Sequence, residues 1–314
     1  MSRFAEADLT RLKRMPAADR ATKVDVSDLA KPLEPAAAAA LLRSLPDQLA
    51  ARALREVVAR IVAAHRAGRP VVVLAGGHVV KVGVVPCLLE LIDRGVIRHV
   101  AMNGATAIHD IELAMLGRTS EDVDAHLQTG AFGMVDETGA FMNRVAREAA
   151  AARDGLGEAW GRALNAESAP HRGISLLAGC ARAGIPATVH VALGTDTIHY
   201  DPACDGAALG ETSLRDFRIL SATLSQAEGA VVLNLGSAVL MPEVFLKALA
   251  VARNLGASLA GLTTVNLDQI QHYRPRMNVL ERPTRAAGAK GYALTGHHEI
   301  MIPLLCGAVL AELG

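Results

Sequence analysis

The segment VVVLAGGHVVKVGVVPCLLELIDRGVIRHVAMNGATAIHDIE, residues 71–112, decides the fold. Its first apolar run, Val71 to Leu74, ends in Gly76-Gly77, and a helical pattern of apolar residues follows as far as Gly95. A second apolar run ends at Asn103-Gly104, before another helical pattern. The order of strand, glycine turn and helix therefore occurs twice in succession. It predicts parallel strands joined by right-handed helical crossovers.

The same order recurs along the rest of the chain, with further apolar runs at residues 187–193, 229–235, 262–267 and 291–294. Six strands, nearly all followed by a glycine-bearing turn and a helix, predict an α/β protein with one doubly wound, mostly parallel sheet. Prolines punctuate residues 1–50, which we expect to form an N-terminal arm. Residues 51–314 contain no linker, so we expect them to form a single domain.

The composition of the 314 residues excludes several classes of protein. Acidic and basic residues balance at 32 each, so nucleic acid and anionic membranes are not expected partners. No apolar run approaches the roughly 18 residues that a membrane-spanning helix needs. The four cysteines are widely spaced and lie mostly in apolar helical patterns, which indicates buried free thiols. These features favour a cytoplasmic protein.

Polar residues follow almost every predicted strand. Because the carboxyl ends of parallel strands meet at one edge, we expect these side chains to converge on a small-molecule site. The residues concerned are His78, Asn103, His109, Asp110, Asp196, His199, Ser237, His297, His298 and Glu299.

The chemistry of this site has several interpretations. Backbone amides in the glycine turns suit the phosphates of a dinucleotide, although the same glycines also suit tight turns without a ligand. The groups His109-Asp110-x-Glu112, Asp196-x-x-His199 and His297-His298-Glu299 contain metal-ligand types, but no metal motif has a recognisable spacing. Four arginines within residues 271–285 could clamp an anion, or could form a solvated loop or a subunit contact.

The order of these motifs resembles the deoxyhypusine synthase family. Asn103 to Asp110 (NGATAIHD) is similar to that family's TTGAN-x-x-HD segment, and Gly194-Thr195-Asp196 stands at the place of its TDGSLGD turn. Residues 214–220, with the strand that leads to Gly236-Ser237, are similar to its D-x-R-x-I and ILGGG motifs. The closing segment Ile302-Pro303-Leu304-Leu305 resembles FPLL.

The resemblance implies a Rossmann-like, NAD-binding sheet of the deoxyhypusine synthase type, assembled as a homotetramer. Members of the family oxidise spermidine with NAD and transfer its aminobutyl group through an enzyme lysine. The position of that lysine holds Thr284 here, and Lys290 is out of register. Because an imine requires an amine nucleophile, deoxyhypusine synthesis is disfavoured.

We therefore expect an NAD-dependent transferase or oxidoreductase that acts on a small, anionic substrate and assembles as a homo-oligomer. The expected acid/base residues are His109, Asp196 and His298. The expected NAD-binding residues are Gly76, Gly77, His78, Asn103, Gly104, Asp110, Gly194, Thr195, Gly236, Ser237 and His297. The expected substrate-binding residues are His199, Arg274, Arg276 and Arg282. Two alternatives stay open: a metal-dependent hydrolase or lyase that uses the strand-end His/Asp cluster, and a non-catalytic nucleotide sensor.

Overall fold

A computed structural model of the chain describes residues 3–314. Its strands are β1 Thr22–Asp25, β2 Val71–Ala75, β3 Ile97–Asn103, β4 Arg118–Glu121, β5 Ala187–His190, β6 Val231–Leu235, β7 Thr263–Asp268 and β8 Lys290–Thr295. Its helices are α1 Pro35–Ser44, α2 Leu49–Arg66, α3 Gly77–Lys81, α4 Val85–Asp93, α5 Gly104–Leu116, α6 Val123–Thr129, α7 Asp136–Ala152, α8 Leu156–Ala166, α9 Leu176–Ala183, α10 Gly206–Leu224, α11 Leu240–Asn254, α12 Tyr273–Pro275 and α13 His298–Leu313. A π-helix, Arg276–Glu281, continues α12.

The six predicted strands form one parallel sheet in the order β5-β3-β2-β6-β7-β8. The chain builds one half outward from β2 through β3 to β5, then returns to β6 and builds the other half through β7 to β8. The order of the strands thus reverses between β2 and β6. The predicted doubly wound α/β fold is confirmed, and this switch point is where open parallel sheets bind ligands.

Helices cover both faces of the sheet. Alternate residues of β2 point to opposite faces, so that Val71 and Val73 join one apolar cluster and Val72 and Leu74 join the other. Helices α2, α4, α5, α9 and α13 cover the first face, and α10 and α11 cover the second. Burial on both faces explains why these strands are continuous apolar runs and show no polar alternation.

The N-terminal segment packs against the sheet domain at two places. Strand β1 pairs antiparallel with β4, with Val24 opposite Thr119. Helix α1 packs against α13 at small residues, since a Cβ added at Gly307 would lie 3.0 Å from the Cβ of Ala38. The boundary expected at residue 50 and the expected homo-oligomer stay predictions. Within the described residues, no helix combines the length and the apolar character that crossing a membrane requires.

The alanine-rich pattern of residues 141–164 predicts a single helix, and this prediction is wrong, because the structure has two helices there. Helix α7 ends at Ala152, Arg153 takes a left-handed φ of 61°, and α8 begins three residues later. Asp216 accounts for the break. Its carboxylate accepts a hydrogen bond from the amide of Gly157 at 3.0 Å, and a Cβ added at Gly155 would lie 2.2 Å from its Oδ1.

Two other segments differ from the local sequence pattern. The sequence predicts a helix start at residues 119–122, but Arg118–Glu121 form β4 and Asp122 alone caps α6. This strand depends on pairing with the distant β1, which no local pattern encodes. The sequence predicts an irregular segment over residues 268–284, but residues 273–281 are helical and bury Val279 against the face that α11 covers.

Candidate functional site

The turns that follow β2 and β6 touch each other at the switch point. The amide of Gly76 donates to the carbonyl of Leu235 at 2.9 Å, and a Cβ added at Gly76 would lie 2.1 Å from the carbonyl oxygen of Gly236. Gly236 itself has a φ of 65°. Both positions therefore require glycine for the packing of two turns, independently of any ligand.

A cavity of about 390 Å³, here called the edge cavity, opens at this edge. Its lining consists of small or apolar residues apart from one amide and one carboxylate: Asn103, Gly104, Ala105, Ala192, Thr195, Asp196, Gly236, Ser237, Ala238, Val239 and Leu240. Two helices of 13 and 15 residues, α5 and α11, begin at its wall.

Three backbone amides before α11 have no hydrogen-bond partner among the described residues. Those of Ser237, Ala238 and Val239 donate to no group within residues 3–314. At the start of α5, by contrast, the Asn103 side chain already accepts from the Thr106 amide at 2.9 Å. Free amides at a helix start, together with the helix dipole, favour an anion such as a phosphate.

A second cavity, of about 200 Å³, lies beside the first and is here called the arm cavity, because the N-terminal arm contributes Arg20 to it. Ala105, Thr195 and Asp196 line both cavities. The other lining residues of the arm cavity are Arg20, Lys81, Ile108, His109, Glu112, Ser120, Glu121, Val123, Phe132 and Thr197.

Asp196 stands at the wall that the two cavities share. Its side chain lies over the first residue of α5, because a Cβ added at Gly104 would be 2.0 Å from Oδ2. This buried Oδ2 has no hydrogen-bond partner among the described residues. Burial raises the pKa of Asp196 to about 6, from an ordinary 3.8. The carboxyl group can therefore gain or lose a proton near neutral pH.

His199 packs beside Asp196 as a neutral imidazole. Its Nδ1 accepts hydrogen bonds from the amides of Gly194 and Asp196, at 3.1 and 3.2 Å, which leaves the ring proton on Nε2. Nε2 lies 3.8 Å from Oδ2 of Asp196. Burial lowers the pKa of His199, so the ring stays uncharged at neutral pH. The predicted substrate-binding residue His199 thus supports the Asp196 turn.

His109 ends a chain of hydrogen bonds that starts at Arg20. Nη1 of Arg20 donates to Oε1 of Glu112 at 2.7 Å, Thr119 donates to Oε2 of Glu112 at 2.5 Å, and Nδ1 of His109 lies 2.8 Å from the Thr119 hydroxyl. Since Thr119 gives its only proton to Glu112, Nδ1 of His109 must be the donor to Thr119. Nε2 of His109 then keeps its lone pair. Burial lowers the pKa of His109 to about 4, so the ring is neutral.

His298 is buried under the Gly236 turn and lines neither cavity. Its Nε2 lies 3.2 Å from the carbonyl of Leu267 and 3.9 Å from Oδ1 of Asp268. The ring of His78 meets it edge-on at a centroid distance of 5.5 Å. The structure therefore brings His109 and Asp196 to one cavity and places His298 in a separate pair with His78.

The structure places several other predicted site residues in local structural contacts. Asp110 caps α9, with its carboxylate accepting from Ser175 Oγ and from the amides of Leu176 and Leu177 at 2.6, 2.7 and 3.1 Å. A Cβ added at Gly77 would lie 3.3 Å from the His109 ring. His297 is exposed, 3.8 Å from Glu299.

The three predicted substrate-binding arginines lie outside both cavities. Arg274 pairs with Glu243 at 3.3 Å and Arg276 with Glu281 at 3.6 Å, whereas Arg282 donates to Asn278. No three His, Cys, Asp or Glu side chains of residues 3–314 are grouped as metal ligands would be.

Several polar residues of the arm cavity, among them Arg20, Lys81 and Glu112, were not assigned to the NAD site or the substrate site from the sequence, and neither was Thr119, which donates to Glu112. Arg20 comes from the irregular arm, and Thr119 from a strand that no local pattern indicates. Glu112 is four residues after Ile108 on α5, a spacing that places both on one helix face.

Comparison with solved structures supports the fold. The chain matches unliganded AgrE with a TM-score of 0.54 and 20% identity, over 83% of this chain and 32% of AgrE. It matches the ternary complex of AgrE with ornithine and NAD⁺ with a TM-score of 0.51 and 18% identity, over 82% and 32% of the two chains. The chain has a Rossmann-like fold. It spans about a third of the length of these AgrE structures.

A deoxyhypusine synthase is also among the solved structures that the chain matches. A provisionally assigned deoxyhypusine synthase from Entamoeba histolytica matches with a TM-score of 0.44 and 12% identity, over 80% of this chain and 86% of that one. Membership of that family therefore stays a prediction. No protein-family model and no curated protein matches the chain.

Proposed function

We propose that the chain is an enzyme that binds NAD or a related nucleotide in the edge cavity and acts on a small anionic substrate in the arm cavity. The observation that carries this proposal is the position of Asp196, which lines both cavities with a buried and unpartnered oxygen. A group in that position is within reach of ligands in either cavity. Its pKa of about 6 suits proton transfer near neutral pH.

Three observations support the binding of a dinucleotide in the edge cavity. It lies at the carboxyl edge, beside the switch point where Rossmann-like sheets bind dinucleotides. The free amides of Ser237, Ala238 and Val239 suit phosphate oxygens, and Gly104 and Ala105 leave room for close approach. AgrE, whose fold is similar, forms a complex with NAD⁺ and ornithine.

Bound NAD would supply a hydride acceptor, and the side chains of the arm cavity would handle the proton. Asp196 would accept the proton, because its pKa lies closer to neutrality than that of His109. His109 would accept a hydrogen bond at Nε2 and so orient a hydroxyl or amine of the substrate. Thr284, at the position of the imine-forming lysine, donates its hydroxyl to the carbonyl of Leu280. We therefore favour an oxidoreductase over a transferase.

Calorimetric titration with NAD⁺ tests the nucleotide site. Val239, 52% exposed at the start of α11, is replaced by Glu to bring a negative charge beside the free amides. The matched control is Leu255→Glu, an equal charge change at a 77% exposed position just after the same helix. We expect V239E to weaken NAD⁺ binding at least tenfold and L255E to leave it unchanged. No binding heat at millimolar NAD⁺ in the wild type, or equal affinity in all three proteins, overturns the proposal.

A further inference from the structure

Arg20 lines the arm cavity, and only one of the three nitrogens of its guanidinium group forms a hydrogen bond within the described residues. Arg20 is 5% exposed, and its Nη1 donates to Glu112 at 2.7 Å. Its Nε and Nη2 are both buried, and neither has a hydrogen-bond partner within residues 3–314. Buried donors without partners are rare in folded proteins, because each loses its hydration without compensation. These two nitrogens form one edge of the planar guanidinium, and their N–H bonds point in parallel.

Two parallel N–H donors match the two oxygens of a carboxylate. Two of the three acidic side chains that line the cavity, Glu112 and Glu121, are already engaged, and the third, Asp196, forms no hydrogen bond with Nε or Nη2 of Arg20. Glu112 accepts from Arg20, Thr119 and Thr138, and Glu121 accepts from the amide of Gly133 at 2.9 Å and contacts His126 at 2.7 Å. The free edge of Arg20 therefore has no acidic partner within residues 3–314.

Lys81 adds a second positive charge to the same cavity, beside that of Arg20, which is paired with Glu112. It is half-buried, lines the cavity and forms no ion pair with any described residue. Ile108, Val123 and Phe132 form an apolar part of the lining of the same cavity. The cavity thus combines an anion-binding group with an apolar wall.

We propose that Arg20 anchors the carboxylate of a small carboxylic acid in the arm cavity through Nε and Nη2, with Lys81 as the second cation. This inference deepens the proposed function, because it names the substrate class of the same cavity. With its carboxylate on Arg20, the ligand places its remaining atoms among Ile108, His109 and Asp196, which line the same 200 Å³ space.

Butyrate and its uncharged isostere butyramide test this anchor by ligand-observed NMR, with inorganic phosphate as a separate arm. The variant Arg20→Lys keeps a cation beside Glu112 but loses the two-donor edge. The matched control is Arg14→Lys, since Arg14 uses its nitrogens on Asp136 and Asp201. Lys81→Gln is the second variant, and it decides the test alone if R20K does not fold.

We expect wild-type protein to bind butyrate at least tenfold more tightly than butyramide, and more tightly than phosphate. R20K should lose this preference, K81Q should reduce it severalfold, and R14K should retain it. An unchanged preference in R20K or K81Q, equal binding of butyrate and butyramide, or tighter binding of phosphate overturns the inference.

The same samples titrated with NAD⁺ separate this inference from the proposed function. If NAD⁺ binds and the preference for butyrate is absent, the carboxylate anchor fails and the nucleotide site stands. If the preference depends on Arg20 and NAD⁺ does not bind, the anchor stands and the proposed function fails.

Discussion

Replacement of Asp196 by Asn is expected to stabilise the protein at high pH and to have no effect near pH 4. In the folded protein the pKa of Asp196 is about 6, against an ordinary 3.8. Between these two values the folded state holds a proton that the unfolded state has lost. The stability of the wild type therefore falls as the pH rises from about 4 to about 6, and it stays low above that.

The size of the effect follows from the same two values. At about 1.4 kcal/mol for each pH unit between them, the ionised and buried Asp196 costs up to about 3 kcal/mol at pH 8. For 314 residues the entropy of unfolding is about 0.7 kcal/mol per kelvin, so the corresponding rise in Tm is about 4 °C. Burying the neutral amide of Asn reduces this figure, which is thus an upper value.

Differential scanning fluorimetry at pH values from 4 to 8 checks the prediction. The control Asp93→Asn changes an exposed residue at the end of α4 and should alter the stability by less than about 0.5 kcal/mol. The difference in Tm between D196N and the wild type should open between pH 4 and pH 6. A difference that is independent of pH, or a lower Tm for D196N at pH 8, would refute the assignment of Asp196 as a buried and uncompensated carboxyl group.

Three further outcomes follow from the geometry. Asp110→Ala should destabilise the protein by about 1–3 kcal/mol in chemical denaturation at pH 5, because the Ser175 hydroxyl and the amides of Leu176 and Leu177 lose their acceptor at the start of α9; pH 5 is chosen because burial raises the pKa of Asp110 to about 6, so that no ionised buried carboxylate offsets the loss. An unchanged midpoint would contradict this role. Gly104→Ala should weaken NAD⁺ binding in the wild type but less in an Asp196→Ala background, because the added methyl group meets Oδ2 of Asp196; additive losses in calorimetry would show that the two sites are independent. Iodoacetamide at pH 8 should label Cys204 in the native protein and all four cysteines after unfolding, because the other three thiols are buried. Mass spectrometry of the labelled peptides reads this out, and native labelling of any buried thiol would contradict the packing.

The sheet could be predicted because each of its strands has a recognisable local sequence pattern. Each buried parallel strand is an apolar run followed by a turn residue, so β2, β3 and β6 are evident from composition and spacing alone. Asp196 follows from the same logic, as a polar residue shortly beyond a strand end. The separation of Asp196 from His298 could not be predicted. A turn follows every strand, and the sequence does not show which of these turns lie next to each other.

The arm cavity could not be predicted, since long-range pairing creates it. Arg20 lies beside Glu112 through the docking of the arm, which pairs β1 with β4. The arginine-rich segment, residues 271–285, shows the converse problem, because composition alone does not reveal which charges are already paired. Arg274 and Arg276 suggested an anion site by composition, but acidic residues that composition cannot place already neutralise them.

The origin of Arg20 in the arm has a kinetic consequence. The two-stranded pairing of β1 with β4 could open while the six-stranded sheet stays folded. Opening would carry Arg20 away, so the residence time of a carboxylate ligand would depend on how often the arm detaches. A bound carboxylate would in turn slow amide hydrogen exchange in Thr22–Asp25, so that exchange in the arm would report occupancy of the arm cavity.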